Sequence, residues 1–414
     1  MDAAVALHPE SRTVRRQRHV AVAGGLLLGI GALALGSESW RHGALLVIGA
    51  LLGVSLYHAA FGFTSAYRRA IIERDVAGVL AQLVMLGLAM LLFAPLLTVG
   101  EVFEQRVSAA MAPASVQVAI GSALFGLGMQ LGGGCGSGTL YTVGGGSGRM
   151  VATLAAFCAG AFVGSLDMAR YADLPSLGVV SLAAELGFAG ALALQLGVLA
   201  LVWVGLRAWA KGRPQRRLWQ RLTWERLLRG PWPLLFAAAM LAGLNALTLV
   251  IAGHPWTVTW AFTLWGAKAA TAFGWDPSTS SFWSGGFPGA ALERGILRDN
   301  VSIMDLGIVA GALTAAGLAG RFAPSWRVPW RSLPAAILGG LLMGYGARLA
   351  FGCNIGAFFS GVASFSLHGW LWIVFALLGT WAGIKLRPLF GLSNEPHGSG
   401  DRDPLRAASH ARRR

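Results

Sequence analysis

Apolar runs of about 17 to 25 residues, long enough to cross the hydrocarbon core of a bilayer as helices, recur along the whole chain. They fall near residues 20–36, 43–62, 76–98, 115–132, 150–168 and 179–206, then near 232–252, 256–274, 303–320, 333–352 and 370–386. Polar positions gather at the two ends, between 206 and 232, and between 275 and 300. This pattern predicts an all-α, polytopic integral membrane protein. Its first membrane half covers 1–206, with a tail over 1–19, and a basic connector over 207–230 leads to a second half over 231–390 and a polar tail over 391–414. The run from Val20 to Gly36 follows basic residues as a signal peptide would, but it lacks a small-residue cleavage site and reads as a retained first helix.

Charge fixes the expected orientation. Of 33 lysines and arginines, four lie at Arg12 to Arg18, eight between Arg207 and Arg229, and seven between Lys385 and Arg414. By the positive-inside rule these are cytoplasmic segments of a protein of the cell inner membrane, with both termini cytoplasmic. Their attraction to anionic lipid accounts for the net charge of +15, and nucleic acid is not an expected partner. Three basic clusters on one side require an even number of crossings in each half. With six candidate runs before the connector and five after it, at least one must be partial or re-entrant.

Composition narrows the class further. Only 12% of the 414 residues are charged, where a soluble domain carries about 25%. With 55% hydrophobic residues and a mean hydropathy of +0.60, no soluble catalytic domain has room. Three cysteines, none in a Cys-x-x-Cys pair or near a histidine at ligand spacing, exclude a disulfide framework and a zinc site. No metal or cofactor is expected, and no Walker A pattern points to a nucleotide.

The most informative feature is internal repetition. Displaced by 218 positions, Gly121, Leu124, Gly126, Gly128, Leu131, Gly134, Cys135 and Gly138 fall on Gly339, Leu342, Gly344, Gly346, Leu349, Gly352, Cys353 and Gly356. Two of only three cysteines coincide. A second echo precedes each copy: Ala60-Phe61-Gly62 resembles Ala272-Phe273-Gly274, and Arg69-Ala-Ile71 with Arg74-Asp75 resembles Arg294-Gly-Ile296 with Arg298-Asp299. The second copy carries a polar insertion from Asp276 to Gly286, read as a loop. Two such halves commonly place a transport site in broken helices near the bilayer midplane.

The run from Gly132 to Arg149 cannot be one helix at reasonable cost, because each interior glycine loses about 1 kcal/mol against alanine. Irregular backbone at membrane depth survives only against protein or a water-filled cavity. A helix ending near Gly132, a short piece from Thr139 and a new helix from Arg149 are expected, with backbone N–H groups at the short helix start forming an anion site. The segment from Phe351 to Gly361 offers the same layout. The candidate site is then Gly134, Cys135, Gly136, Ser137 and Gly138 opposite Gly352, Cys353, Asn354 and Gly356, with Arg348 lending positive potential.

At these residues the sequence resembles the YeeE/YedE membrane proteins, a family associated with sulfur transport that includes a bacterial thiosulfate transporter. The strongest strings are Met129-Gln-Leu-Gly-Gly-Gly-Cys135-Gly-Ser-Gly-Thr-Leu-Tyr, Gly346-Ala-Arg348-Leu-Ala-Phe-Gly-Cys353-Asn-Ile-Gly-Ala-Phe-Phe-Ser-Gly, and Ser366-Leu-His368-Gly-Trp370. The resemblance implies pseudosymmetric halves whose partial helices meet at a central constriction, where thiols hand thiosulfate inward; Cys135 and Cys353 match two of those thiols. The characterised family member has a further cysteine in the first interrupted segment, and the region Phe61-Gly-Phe-Thr64-Ser65 has none.

The chemistry suits a soft anion without the family name. With a reference pKa of about 8.5, a thiol offers S–H as a weak donor at neutral pH, whereas a thiolate would repel a dianion. Three readings follow. The first is import of a small sulfur-containing anion, above all thiosulfate. The second is a membrane-bound sulfurtransferase or thiol oxidoreductase using the same cysteines. The third is transport of another sulfur or selenium species toward a soluble sulfurtransferase-type partner. Channel and ion-coupled transport are equally compatible with the sequence, as are the two orientations of the symmetry axis.

Other residues read more plainly. Cys158 is a small packing residue, and Gly121, Gly126 and Gly128 serve either helix packing or the site. Arg348 has snorkelling to the interface as its alternative. Thr139 and Ser360 are read as caps of short helices. His368 and Trp370 mark a helix start or interface, Lys268 and Glu185 are interfacial or halves of buried pairs, and His58 carries no weight.

Overall fold

The structure, a computed structural model, describes residues 17–325 and 328–394. The basic residues expected to anchor the two tails, Arg12 to Arg16 and Arg402 to Arg414, lie outside the described residues. The chain begins with α1 (Arg18–Glu38), α2 (Trp40–Ala59), α3 (Phe63–Glu73) and α4 (Ala77–Val99). Short strands β1 (Glu101–Val102), β2 (Gln105–Arg106) and β3 (Pro113–Ser115) lead into α5 (Val116–Gly132), α6 (Gly136–Gly144) and α7 (Gly148–Leu166). Then come β4 (Ser176–Val179), which pairs antiparallel with β3, and α8 (Leu182–Trp209) and α9 (Trp224–Arg229). The rest comprises α10 (Leu234–Ala252), α11 (Thr259–Ala272), α12 (Gly286–Glu293), α13 (Asn300–Ala319), α14 (Ser332–Leu349), a π-helical turn (Asn354–Phe359), α15 (Ser360–Ala363) and α16 (Leu367–Leu386).

Ten helical runs in the described residues are long and apolar enough to cross a bilayer. The protein is therefore a polytopic, all-helical membrane protein. Six of the crossings, α1, α2, α4, α5, α7 and α8, precede the connector, and four, α10, α13, α14 and α16, follow it. Both numbers are even, as the basic clusters require. The segment that fails to cross is the expected run at 256–274: its helix α11 has 14 residues, about 21 Å at 1.5 Å per residue, and begins only after the extended stretch that follows Gly253 and Pro255.

One face of the bundle collects the connector and both described chain ends. There Gln17 bonds Phe322, the Trp232 N–H donates to the His58 carbonyl, Arg216 pairs with Asp75 at 2.8 Å, and Arg387 donates to the Gln130 carbonyl at 2.7 Å. On the opposite face Ser108 bonds Gly253, Leu182 bonds Phe365, and β3 pairs with β4.

Helix contacts are close because the residues between them are small. A Cβ added to Gly128 would lie 2.7 Å from the Gly339 carbonyl oxygen, and one on Gly121 the same distance from that of Gly346. These glycines let α5 and α14 approach backbone to backbone, the packing device of membrane helices, where lipid provides no hydrophobic drive. The outer faces of α1 and α8 expose Leu26, Ile30, Leu33, Leu201 and Val204, the apolar girdle expected of lipid-facing positions.

Of the second echo in the sequence, one part occupies matching places and one does not. Asp75 accepts from the Ala77 N–H ahead of α4, and Asp299 from the Ser302 N–H ahead of α13, each satisfying an orphan donor of a helix start. By contrast, Ala60-Phe61-Gly62 leads into α3 with Phe61 buried, whereas Ala272-Phe273-Gly274 ends α11 with Phe273 92% exposed. Glycine-rich apolar sequence makes such a three-residue match cheap. The polar insertion from Asp276 is a loop, with one 3-10 turn at Pro277–Thr279, up to Gly286 where α12 begins.

Candidate functional site

Two interrupted helices meet in the interior. In the first, α5 ends at Gly132 and Gly133 turns with φ of +91°, a conformation glycine adopts without strain. Arg149 holds this break by donating to the carbonyls of Leu131 and Gly132, both at 2.7 Å. Cys135 is extended and stands at the N-cap of α6; its carbonyl accepts from the Thr139 N–H at 2.8 Å and the Thr139 hydroxyl at 2.9 Å. The short helix thus starts at Gly136, three residues before the expected Thr139, and Thr139 braces the cap rather than forming it.

The second interruption mirrors the first with a different backbone. After α14, Phe351 and Gly352 take φ of +55° and +147°, and Cys353 is extended ahead of the π-helical turn. Its carbonyl accepts from the N–H groups of Ala357 and Phe358 at 3.0 and 3.3 Å, and its sulfur accepts from the Ile355 N–H at 3.4 Å. Ser360, read as a cap, instead donates to the Trp256 carbonyl at 2.7 Å and accepts from Asn245 at 3.2 Å.

The two cysteines face one small volume, both essentially without exposed surface. A Cβ built on Gly136 would lie 3.4 Å from Cys353 Sγ, 3.4 Å from Val258 and 3.6 Å from Thr259; one on Gly138 would lie 3.4 Å from Cys135 Sγ. Gly134 is packed on the Gly138–Thr139 backbone, and Gly356 faces Thr257, whose hydroxyl a Cβ would meet at 2.7 Å. Here glycine keeps side chains out of the gap between the thiols. Ser137 Oγ touches Cys135 Sγ at 3.6 Å, and Asn354 is fully buried.

The segments that carry the thiols, and α3 and the stretch before α11 beside them, hold buried polar atoms, and an unpaired buried donor costs about 1 to 3 kcal/mol. The Thr64 hydroxyl and the Trp256 indole N–H are buried and unpaired, while the buried Tyr67 hydroxyl and Asn354 side chain have only each other. Tyr67, on α3, faces Asn354 and Cys135. Sequence reasoning missed Tyr67, Thr64 and Trp256. Their signal was weak: α3 is an ordinary amphipathic helix by pattern, and only the fold turns its start toward Cys135. The Tyr67 hydroxyl and Asn354 amide, with two S–H groups, make a water-poor polar spot suited to an anion with a soft, polarizable end.

Arg348 belongs to a neighbouring wall. Its guanidinium lies 4.9 Å from the centre of the Phe282 ring, its stem rests on Gly164 of α7, and its Nε has no partner. The remaining polar residues have local duties. Lys268 donates to the carbonyls of Leu292 and Arg294 at the end of α12, and Glu185 lies exposed in the first turn of α8. His368 bonds Ser366 at 2.6 Å, Trp370 bonds Gln195 of α8 at 2.7 Å, and His58 packs on Trp232. The backbone of Cys158 packs on Gly266 of α11, in keeping with a packing role.

Ten helical runs in the described residues, long and apolar enough to span a membrane, around a buried meeting point of two broken helices define a multi-pass membrane protein. The chain belongs to the sulphur transport family, whose model matches residues 58–382. It is similar to the thiosulfate transporter TsuA of Spirochaeta thermophila, 30% identical over 356 residues, which are 81% of this chain and 96% of that protein. It is also similar to the probable transporter YedE of Escherichia coli K12, 36% identical over 179 residues, 42% of either chain. The match to the Salmonella typhimurium YedE is likewise confined to 42% of that relative's length.

Proposed function

We propose that this protein imports thiosulfate across the cytoplasmic membrane, the anion passing between Cys135 and Cys353. The observation that carries the reading is the approach of Cys353 Sγ to Gly136, which brings both thiols to one glycine-lined gap beside the buried Tyr67 and Asn354. The likeness to a thiosulfate transporter over most of the chain supports the choice of anion. The halves are residues 1–206 and 231–390, joined by the basic connector at 207–230 and followed by the tail at 391–414. The basic face is cytoplasmic, lipid surrounds α1 and α8, and Arg348 adds positive potential to the approach from the opposite face.

The halves run in opposite directions. In chain order α2, α4, α5 and α7 are crossings two to five, and α10, α13, α14 and α16 are crossings seven to ten. Each pair differs by five, an odd number, so the pseudo-symmetry axis lies in the membrane plane.

The protein is not an enzyme in this reading. Cys135 Sγ meets the Ser137 hydroxyl and backbone groups of Phe63 and Gly138, and Cys353 Sγ meets those of Ile355 and Gly356, so neither has beside it the activating base that nucleophilic turnover needs. A soluble sulfurtransferase-type partner would act on the delivered anion. The test is uptake of labelled thiosulfate by liposomes containing only the purified protein. Uptake that saturates and resists excess sulfate is expected; absence of uptake by folded protein overturns the proposal.

A further inference from the structure

Asp305 is the buried charge that the thiol path does not use. It lies on α13 with no exposed surface, and neither carboxyl oxygen has a hydrogen-bond partner. No cation pairs with it in the described residues, where the three salt bridges join other groups. An ionised carboxylate buried alone costs several kcal/mol, so burial here favours the neutral acid. Intramembrane acids of this kind are expensive to keep and mark proton relays more often than packing.

Its surroundings connect it both to water and to the thiols. Across α13, residues 302, 305, 309 and 312 share one face. At the start of that face Ser302 accepts from the Trp265 indole of α11 at 3.0 Å, and further along Val309 and Ala312 pack on Gly144 of α6. Asp305 therefore looks between α11 and α6, whose first turns meet at Gly136. One turn above it, the Ser302 hydroxyl donates to Asp299 Oδ2 at 2.7 Å, and Asp299 lines an open cavity of about 600 Å3 with His42, His254, Arg294 and Arg298. Asp299 and Ser302 form a polar ladder from that cavity toward Asp305.

The titratable groups around it are few. Asp299 on its own helix, Cys158 on α7 and Cys353 act on it electrostatically. Of the other helices packed on α13, α1 and α2 bring Glu38 and His42 only to the cavity mouth, and α11 brings Lys268, which is engaged by carbonyls of α12. On α6, Tyr141 turns toward Cys135, and α9, with Glu225, packs at the opposite end of α13.

We propose that Asp305 is a proton-binding site that couples anion passage to proton movement. When the cavity side is open, water reaches the carboxylate and the ionised form is tolerated. Closure around the anion buries the group, and only the protonated form can be buried without a partner. Each closure therefore carries one proton, taken up by the carboxylate from the cavity side and released when the site opens on the basic face. This inference rests on the thiosulfate reading above.

The experiment uses the full chain in liposomes loaded with a pH-sensitive dye, with the membrane potential clamped by potassium and valinomycin. In wild type, external thiosulfate should acidify the lumen, and a tenfold inward proton gradient should speed uptake several-fold. Asp305→Asn keeps the shape and the neutral state; it should retain downhill thiosulfate uptake while losing both luminal acidification and acceleration by the gradient. Wild-type thiosulfate uptake without acidification overturns the coupling and leaves the thiosulfate reading standing, as does unchanged proton movement in Asp305→Asn. Absence of thiosulfate uptake in wild type overturns both.

Discussion

The two interrupted segments reach the same cysteine geometry by different backbones. The first turns on a glycine and continues as an α-helix opening with Gly136-Ser137-Gly138, and its later residues Tyr141, Thr142 and Val143 are only half-buried. The second turns on Phe351 and Gly352, widens into a π-helical turn and is buried throughout from Gly352 to Ser366. Its anchors are also denser. Asn245 accepts from the Trp256 N–H at 2.7 Å and donates to Ser360, Trp372 donates to the Gly352 carbonyl at 3.2 Å, and the Ala110 N–H donates to Ser364. On the proposed reading, the second segment is the fixed wall of the path, and the first, with glycine at its tip, is the side that sets the width of the gap.

Width is the feature most easily broken. Replacing Gly136 with Val puts branched carbon into the space beside Cys353 Sγ, and thiosulfate uptake should fall at least tenfold at equal membrane content of folded protein. Gly136→Ala, whose Cβ stands 3.4 Å from that sulfur in ordinary contact, should retain a measurable share. Equal uptake by wild type and Gly136→Val would show that the path does not run between the thiols.

Anchoring should give a smaller effect of a different kind. Asn245→Ala leaves the Trp256 N–H and the Ser360 hydroxyl short of a partner, at about 1 to 3 kcal/mol for each group left unpaired. A lower melting temperature in detergent is expected, with uptake reduced less than in Gly136→Val. If melting is unchanged, the second segment is held by packing alone and the contrast between fixed and adjustable walls fails.

Much of this architecture is legible in the amino-acid sequence. The apolar runs give the crossings nearly residue for residue, because a bilayer demands one long apolar stretch per span. The strings around Cys135 and Cys353 mark both breaks, because glycine clusters cannot continue a helix cheaply. Three things are not legible there. The run at 256–274, with four threonines and Lys268, is less apolar than its neighbours, but where its helix begins and ends is set by tertiary structure. The direction of the Arg348 side chain, toward Phe282, depends on a loop far away in sequence. Tyr67 and Asp305 acquire meaning only from what surrounds them, although an acid inside the run at 303–320 is a visible anomaly.

The most direct test of the central claim, a path between two S–H donors, is thiosulfate uptake by liposomes containing purified Cys135→Ala, Cys353→Ala, the matching serine variants and Cys158→Ala. Uptake should be lost in either alanine variant, partly retained with serine, which still donates through a smaller, better hydrated group, and nearly unchanged in Cys158→Ala. Full uptake by folded Cys135→Ala and Cys353→Ala would contradict the thiol-lined path.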